Sequence, residues 1–202
     1  MNENLVDRRR RLMRDEIGRI AIELFVERGF DEVTVDDIAE ASGTSQRTFF
    51  RYFATKDEIV LDLIHRLTRR LLHALEARPA DEGAVTALRR AYATTSHVEP
   101  TNRERVRQLA RVLSSAPVLR ARAHGEHVSD AEVLLAPLGA RMGLSPDDPR
   151  VRVLATAASA VAAVEFYRWA DEGRSSDPSE PIEAAFDLLE AGFAKLDPTR
   201  LG

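Results

Sequence analysis

The 202-residue sequence contains no cysteine, few aromatic residues and no long uninterrupted apolar run. The absence of cysteine excludes disulfides, thiolate catalysis, iron–sulfur clusters and thiolate zinc sites. No stretch approaches 18 consecutive apolar residues, and the first residues lack the apolar core of a signal peptide, so neither a membrane span nor export is indicated. We therefore expect a cytoplasmic protein without a membrane partner.

The sequence also lacks the common catalytic motifs. It has no glycine-rich phosphate loop, no His-Glu-x-x-His and no Gly-x-Ser-x-Gly. His124 and His127 are three apart, as metal ligands on one helix face can be, but only Glu126 and Asp130 accompany them. Exposed histidines are the better interpretation of this pair. We expect no enzymatic activity, no cofactor and no bound metal.

Apolar residues recur at intervals of three and four along nearly the whole chain, and the alternation typical of strands is absent. With 44% hydrophobic and 31% charged residues, the composition is that of a globular protein with a sizeable core. The pattern predicts an all-α protein of about nine helices. We expect a three-helix N-terminal domain over residues 1–55, joined by a long helix to a helical C-terminal domain over residues 56–202.

Residues 33–53 predict two short helices separated by a turn. Thr34 and Asp37 form a capping-box pair that opens the first helix, Gly43 interrupts the pattern, and Ser45 can cap the second helix. This arrangement is the helix-turn-helix, which places its second helix in the major groove of DNA.

The charge pattern of the second helix supports DNA binding. No acidic residue occurs between Ala41 and Lys56, whereas the ten residues before Ala41 are rich in Asp and Glu. Such a change is expected where a phosphate backbone approaches. Phe49 and Phe53 can pack inward with the first helices and leave an outer face that can contact bases. That outer face comprises Gln46, Arg47, Thr48, Phe50 and Tyr52.

The segment from Val33 to Ile59 reads VTVDDIAEASGTSQRTFFRYFATKDEI and follows AIELFVERGF. Together, over about residues 11–64, these motifs resemble the DNA-binding domain of the tetracycline-repressor (TetR) family of bacterial transcriptional regulators. The resemblance implies a homodimer whose recognition helices enter successive major grooves of a palindromic operator. It also implies a repressor that is released by a small-molecule effector, with C-terminal helices that form both the effector pocket and the dimer interface.

The resemblance also assigns roles to individual residues. It implies phosphate contacts for Thr34 and Lys56 and base or groove contacts for the start of the second helix. The DNA-binding residues that we expect are Thr34, Thr44, Ser45, Gln46, Arg47, Thr48, Phe50, Arg51, Tyr52 and Lys56.

Many relatives carry a tyrosine at the position of Phe50, so Phe50 is expected to pack on a thymine methyl or a sugar, and Tyr52 is expected to supply the missing hydroxyl. The arginines from Arg8 to Arg11, together with Arg14, form either an arm that contacts phosphates or the minor groove, or a solvated helix start.

Beyond about residue 75 the resemblance extends only to a general helical plan. The last two helices are apolar enough to build a four-helix interface across a twofold axis, and the alternative is a core within one chain. The interface residues that we expect are Val161, Phe166, Phe186, Leu189 and Phe193.

For the effector pocket the polar candidates are Tyr92, Arg111, Glu165 and Trp169. Glu165 either orients a ligand or pairs with Arg168 or Arg152. The sequence does not identify the effector. A second class of function also remains open, in which a helical interaction protein or enzyme retains a DNA-binding-like head that it does not use.

Overall fold

The structure is a computed structural model, and it describes residues 5–115, 131–173 and 176–192. These residues are helical with short connections and contain no strand, which confirms the all-α prediction. None of the described helices is long and apolar enough to cross a membrane. In chain order they are α1 (Leu5–Arg28), α2 (Val35–Ala41), α3 (Gln46–Tyr52), α4 (Lys56–Glu76), α5 (Ala84–Ser96), α6 (Arg103–Ser115), α7 (residues 131–142), α8 (Pro149–Glu172) and α9 (Ser179–Ala191).

The first three helices pack around the apolar stripe of α1. Gly29 ends α1 with a φ of 89°, a left-handed conformation that suits glycine. Phe49 and Phe53 of the α3 segment are almost fully buried against Phe25 and Ile38, as predicted. We call α1–α3 with the first turns of α4 the head.

Helix α4 contributes to two separate hydrophobic clusters. Ile59 and Val60 belong to the cluster of the head, whereas Leu71 and Leu75 belong to a second cluster in the C-terminal helices. A domain boundary at residue 55 therefore stays a prediction, because one continuous helix serves both cores. Helix α6 also contacts the head, since Leu113 is part of the head cluster.

The second cluster lies between α4, α5, α7, α8 and α9. Alanines on α5 and α8 allow these helices to approach closely, and larger side chains from α7 and α9 complete the packing. The buried members are Leu71, Leu75, Ala87, Leu88, Ala91, Tyr92, Ala131, Leu134, Leu138, Val151, Ala155, Ala158, Ala162, Ile182 and Phe186.

Arg141 of α7 binds the C-terminal end of α4. Its guanidinium donates to the carbonyl oxygens of Leu75 and Arg78 at 2.8 Å, of Pro79 at 2.6 Å and of Glu82 at 3.4 Å. The last carbonyls of a helix lack partners within the helix and carry partial negative charge. One cation therefore satisfies several of them and fixes α7 against the end of α4.

Replacing Arg141 with methionine should lower the free energy of unfolding by about 2 kcal/mol, because hydrogen bonds to a charged group are lost and carbonyls lose their partner. The measurement is urea denaturation followed by circular dichroism. Arg152→Met is the matched control, since Arg152 is exposed and its ion pair with Asp147 is 3.9 Å long. That control should cost less than about 0.5 kcal/mol. Equal losses in the two variants would contradict the role assigned to Arg141.

Candidate nucleic-acid interface

Thr34 forms the predicted capping box at the start of α2. Its Oγ1 accepts from the Asp37 backbone N–H at 3.2 Å, and the Asp37 carboxylate accepts from the Thr34 backbone N–H at 2.8 Å. The Thr34 hydroxyl also donates to Asp37, and these bonds, with Arg28 nearby, lower the pKa of the Asp37 carboxyl. Thr34 is exposed, but its hydroxyl hydrogen points at Asp37.

The turn between α2 and α3 also has the predicted geometry. Gly43 adopts a φ of 62°, and the N–H of Thr44 donates to the carbonyl of Ala39 at 2.8 Å. Ser45 caps α3 by accepting from the N–H of Thr48 at 3.2 Å, and the two hydroxyl oxygens lie 3.1 Å apart. Thr44 and Thr48 are half-buried, so they lie at the edge of the exposed surface.

Helix α3 has one buried and one exposed face. Arg47, Phe50 and Arg51 lie on the exposed face with Gln46, whereas Phe49 points into the head. Phe50 is 53% exposed, an unusual position for a large apolar side chain, and its ring meets the edge of Phe49 at 5.4 Å. Within the part of the chain that the structure describes, Arg47 makes no ion pair.

Tyr52 does not lie on the outer face, contrary to the prediction. Its ring is 9% exposed and belongs to the head cluster, because positions 49, 52 and 53 share the inward face of the helix. Its hydroxyl accepts from the Arg51 guanidinium at 3.1 Å, and that guanidinium lies 5.0 Å from the Tyr52 ring centroid. In this structure the Tyr52 hydroxyl therefore contacts Arg51.

Lys56 is also placed differently from the expectation. Its Nζ donates to the carbonyl oxygens of Phe30 at 2.7 Å, Val33 at 3.0 Å and Asp31 at 3.3 Å. The ammonium also lies 4.5 Å from the centroid of the Phe30 ring. The side chain thus turns back to the connection between α1 and α2, and its three N–H donors are all used there.

Arg14, which the sequence grouped with the basic arm, is part of the packed head. Its guanidinium lies 4.2 Å from the Phe53 ring centroid, donates to the Tyr52 carbonyl and pairs with Glu58 at 3.0 Å. Burial alone would raise the pKa of Glu58, but bonds from the Ala54 N–H and from Arg14 lower it overall. The side chains of Arg8 to Arg11 lie exposed on the first turns of α1.

Asp36 was not among the predicted site residues, although it contacts one of them. The Gln46 amide nitrogen donates to the Asp36 carboxylate across the turn and so links α2 to α3. The amide oxygen of Gln46 then remains as the acceptor on the outer face. Acidic residues are common in the first turn of a helix, so Asp36 gave no particular signal in the sequence. Its contact with Gln46 could not be predicted from spacing alone.

The structure does not bring the predicted pocket residues together. Tyr92 is buried in the second cluster and its hydroxyl donates to Ser159 at 3.0 Å. Trp169 is buried in a third cluster with Ala110, and its indole N–H donates to the Ser176 carbonyl at 2.8 Å. Both aromatic residues are therefore core residues with satisfied polar groups.

The two charged candidates lie in different surroundings, since Arg111 is exposed and Glu165 is largely buried. Arg111 is exposed on α6. Glu165 pairs with Arg168 at 3.4 Å, which is one of the two alternatives that the sequence left open. A groove of about 420 Å³ instead opens between α5, α8 and α9. Its lining residues, none of which was a predicted pocket residue, are Val85, Leu154, Phe186, Leu189 and Glu190.

Helices α8 and α9 carry two apolar faces, and the predicted interface residues fall partly on the inner one. Phe186 is fully buried in its own chain, so its assignment to a dimer interface is wrong. Phe166 packs 5.9 Å from Trp169, ring centroid to ring centroid. Val161 and Leu189 are half-buried, and Phe193 lies outside the described residues.

The outer apolar face was missed because small and apolar residues occur around most of α8. Val153 is 67% exposed, Val164 is 61% exposed, and Leu188 of α9 is 49% exposed. Along α8 these valines continue through Ala157 and Ala160 at helical spacing. This second apolar stripe, on a different side of α8 from the buried one, is the sequence pattern that could have indicated the outer face.

No group of three or more His, Asp or Glu side chains that could hold a metal ion occurs in the described ranges. His124 and His127 lie outside them.

The capped helix-turn-helix, with an exposed α3 face of arginine, glutamine and phenylalanine, defines a DNA-binding protein. The chain belongs to the tetR family of bacterial regulatory proteins, whose model matches residues 19–63, and a model described as the MftR C-terminal domain matches residues 82–194.

The relatives are transcriptional regulators. The chain is 33% identical over 199 residues to the mycofactocin biosynthesis transcriptional regulator MftR of Mycobacterium tuberculosis, covering 97% of this chain and 98% of that protein. It is 33% identical over 194 residues to the transcriptional regulator TcmR of Streptomyces glaucescens, covering 91% and 83%. The FadR repressor of Thermus thermophilus, solved with lauroyl-CoA, matches at 28% identity with a TM-score of 0.56, covering 89% and 94%. The protein is a DNA-binding transcriptional regulator.

Proposed function

We propose that this regulator is a repressor that binds a palindromic operator as a homodimer and leaves it when a small molecule binds the C-terminal helices. The exposed outer face of α3 carries this proposal, because it presents donors and an aromatic ring on a helix that is held rigidly by its buried face. In this proposal the protein regulates transcription and catalyses no reaction. It acts in the cytoplasm, where the operator lies.

Arg47 is the main candidate for reading a base. It is exposed at the start of α3, and an arginine can bind the O6 and N7 atoms of guanine with two donors. Gln46 offers its amide oxygen to an exocyclic amino group, and Phe50 offers its ring to a thymine methyl or a sugar.

Phosphate contacts are proposed for residues at the rim of the same face. Arg51 carries a charge there, and Ser45, Thr44 and Thr48 carry hydroxyls. Thr34 can join them only if its hydroxyl leaves Asp37. Tyr52 and Lys56 are left out of the direct contacts, because their polar groups are engaged within the head.

Substituting Arg47 with alanine should reduce affinity for the operator while leaving affinity for random DNA nearly unchanged. One lost bidentate contact costs about 1–3 kcal/mol at the affected base pair. Fluorescence anisotropy with the DNA upstream of the gene and a scrambled duplex, at two salt concentrations, measures both affinities. The wild-type protein should prefer its own upstream DNA by roughly 10³-fold or more. Arg152→Ala, on the far helix α8, should behave as wild type.

Two results would overturn this assignment. Unchanged preference in Arg47→Ala would remove Arg47 from the base contacts. A wild-type protein without preference for any fragment in a genome-wide selection of bound DNA would favour the alternative of an unused DNA-binding head.

The outer apolar face of α8 and α9 is the proposed dimer interface. Its small residues permit two copies of each helix to pack closely around a twofold axis, with Val161 and Leu189 at the margin. Dimerisation would place two recognition helices about 34–36 Å apart, the repeat of one DNA turn. The apolar residues on this face are Val153, Ala157, Ala160, Val161, Val164, Ala184, Leu188, Leu189 and Ala191.

Val164→Glu should convert the dimer to a monomer, because it places two carboxylates in a dry interface without partners. Sedimentation velocity measures the change in mass, and operator affinity should fall with it. Leu67→Glu is the matched control, since Leu67 is a comparably exposed apolar residue on α4. A Val164→Glu dimer as tight as wild type would exclude this face.

A fatty acyl thioester is the proposed class of effector. The similarity to FadR, which was solved with lauroyl-CoA, supports this class. The groove between α5, α8 and α9 has apolar walls, and its volume of about 420 Å³ falls within the range of about 300–1,000 Å³ for small-molecule sites. Binding there would act on helices that also carry the proposed dimer face.

Lauroyl-CoA should weaken operator binding by about 5- to 150-fold, the usual range of coupling between two sites. The anisotropy assay above detects the release, with coenzyme A and free dodecanoate as ligand controls. Val85→Trp, which fills the groove, should retain operator affinity but respond less to lauroyl-CoA. An equal response in Val85→Trp would place the effector elsewhere, and no response in the wild type would exclude acyl thioesters.

A further inference from the structure

Lys56 connects the two ends of the helix-turn-helix. The unit runs from Thr34 to Thr55, and Lys56 is the first residue after it. Its ammonium nevertheless lies at the other end, where the backbone leaves α1 and enters α2. One side chain therefore joins the segment before α2 to the segment after α3.

The ammonium group is fully used in this position. A lysine ammonium has three donors and no acceptor, and here the donors face the carbonyls of Phe30, Asp31 and Val33 at 2.7, 3.3 and 3.0 Å. The Phe30 ring, itself buried and 4.9 Å from the Phe25 ring, covers a further side of the charge. A phosphate oxygen would have to displace one of these carbonyls to receive a hydrogen bond.

The other contacts at α3 do not make the same connection. The Gln46–Asp36 hydrogen bond joins α3 to α2, and Arg14 joins the C-terminal end of α3 to α1. Arg14 also pairs with Glu58 at 3.0 Å and Asp62 at 3.3 Å, so it holds α1 against α4, but it does not contact the connection between α1 and α2. Lys56 binds that connection directly before α2 begins, and the orientation of α3 depends on how α2 enters the unit as well as on how α3 leaves it.

We propose that Lys56 is a positioning residue: it sets the angle at which α3 meets DNA by closing the helix-turn-helix, and it does not bind a phosphate. This inference rests on the proposed operator binding. It assigns this lysine a different role from the phosphate contact that the family resemblance implies. The two roles differ in what they predict for salt dependence and for sequence preference.

Two substitutions separate the roles. Lys56→Met removes the charge and keeps a side chain of similar length. Lys56→Arg keeps the charge, and an arginine binds phosphate well, but its planar guanidinium cannot direct three donors from one atom at three converging carbonyls. Arg152→Met is the control for loss of a distant charge.

The measurement is the affinity for operator and for scrambled DNA over a series of salt concentrations, at a temperature where every variant is folded by circular dichroism. We expect both Lys56 variants to lose preference for the operator by about tenfold or more, the scale of one misplaced base contact. We expect the slope of log affinity against log salt on scrambled DNA to stay within error of wild type. A lost phosphate contact would instead reduce that slope by about 0.9.

Three outcomes would overturn the inference. A reduced slope in Lys56→Met with wild-type behaviour in Lys56→Arg identifies a phosphate contact. Normal preference and slope in both variants, with only a lower melting temperature, identifies a purely structural residue. Retained preference in Lys56→Arg alone shows that charge, not the closure geometry, is what matters.

A second readout does not depend on DNA. Amide hydrogen exchange across residues 35–52 should accelerate in Lys56→Met, while exchange in α8 stays unchanged. If the wild-type protein shows no preference for any DNA, the proposed function fails, and this readout still decides whether Lys56 holds α2 and α3. Unchanged exchange across residues 35–52 would overturn the closure itself.

Discussion

The recognition helix α3 is too short to be stable on its own, and the rest of the head depends on this constraint. Helix α3 has seven residues, whereas isolated helices shorter than about 12–15 residues are marginal in water. Its conformation and direction therefore come from its neighbours: Phe49 and Phe53 bury its inner face, Ser45 caps its start, and Arg14 binds its last carbonyl. Rigidity of this kind lets a short outer face present donors at fixed positions.

Much of the fold follows from local rules that act within a few residues. The capping box of Thr34 and Asp37, the left-handed Gly29 and the inward aromatic residues of α3 are all confirmed, because each depends on short-range spacing. Tyr52 lies on the inner face instead of the outer one, and Lys56 faces three backbone carbonyls, because both placements depend on groups that lie across the fold. A lysine at a helix start has the same sequence signal whether it faces phosphate or three carbonyls.

The C-terminal helices show a different limit of sequence reasoning. Alanine-rich α8 is apolar on more than one side, so periodicity could not tell which stripe faces its own core. Packing against α9 buries Phe186 and leaves Val153 and Val164 outside. The sequence also could not show that Tyr92 and Trp169 lie in the core, where their rings are buried and their polar atoms have partners within the chain.

Helix α6 lies between α8 and the head and contacts both. On one side the Arg107 guanidinium lies 4.9 Å from the Trp169 ring of α8. On the other side Arg105 pairs with Glu23 of α1 at 2.8 Å, and Leu113 packs into the head cluster. Arg141 of α7 binds the far end of α4, so the C-terminal helices contact the head both through α4 and through α6. Close-packed interiors have low compressibility and transmit strain, so the head and the C-terminal helices are mechanically connected at two places.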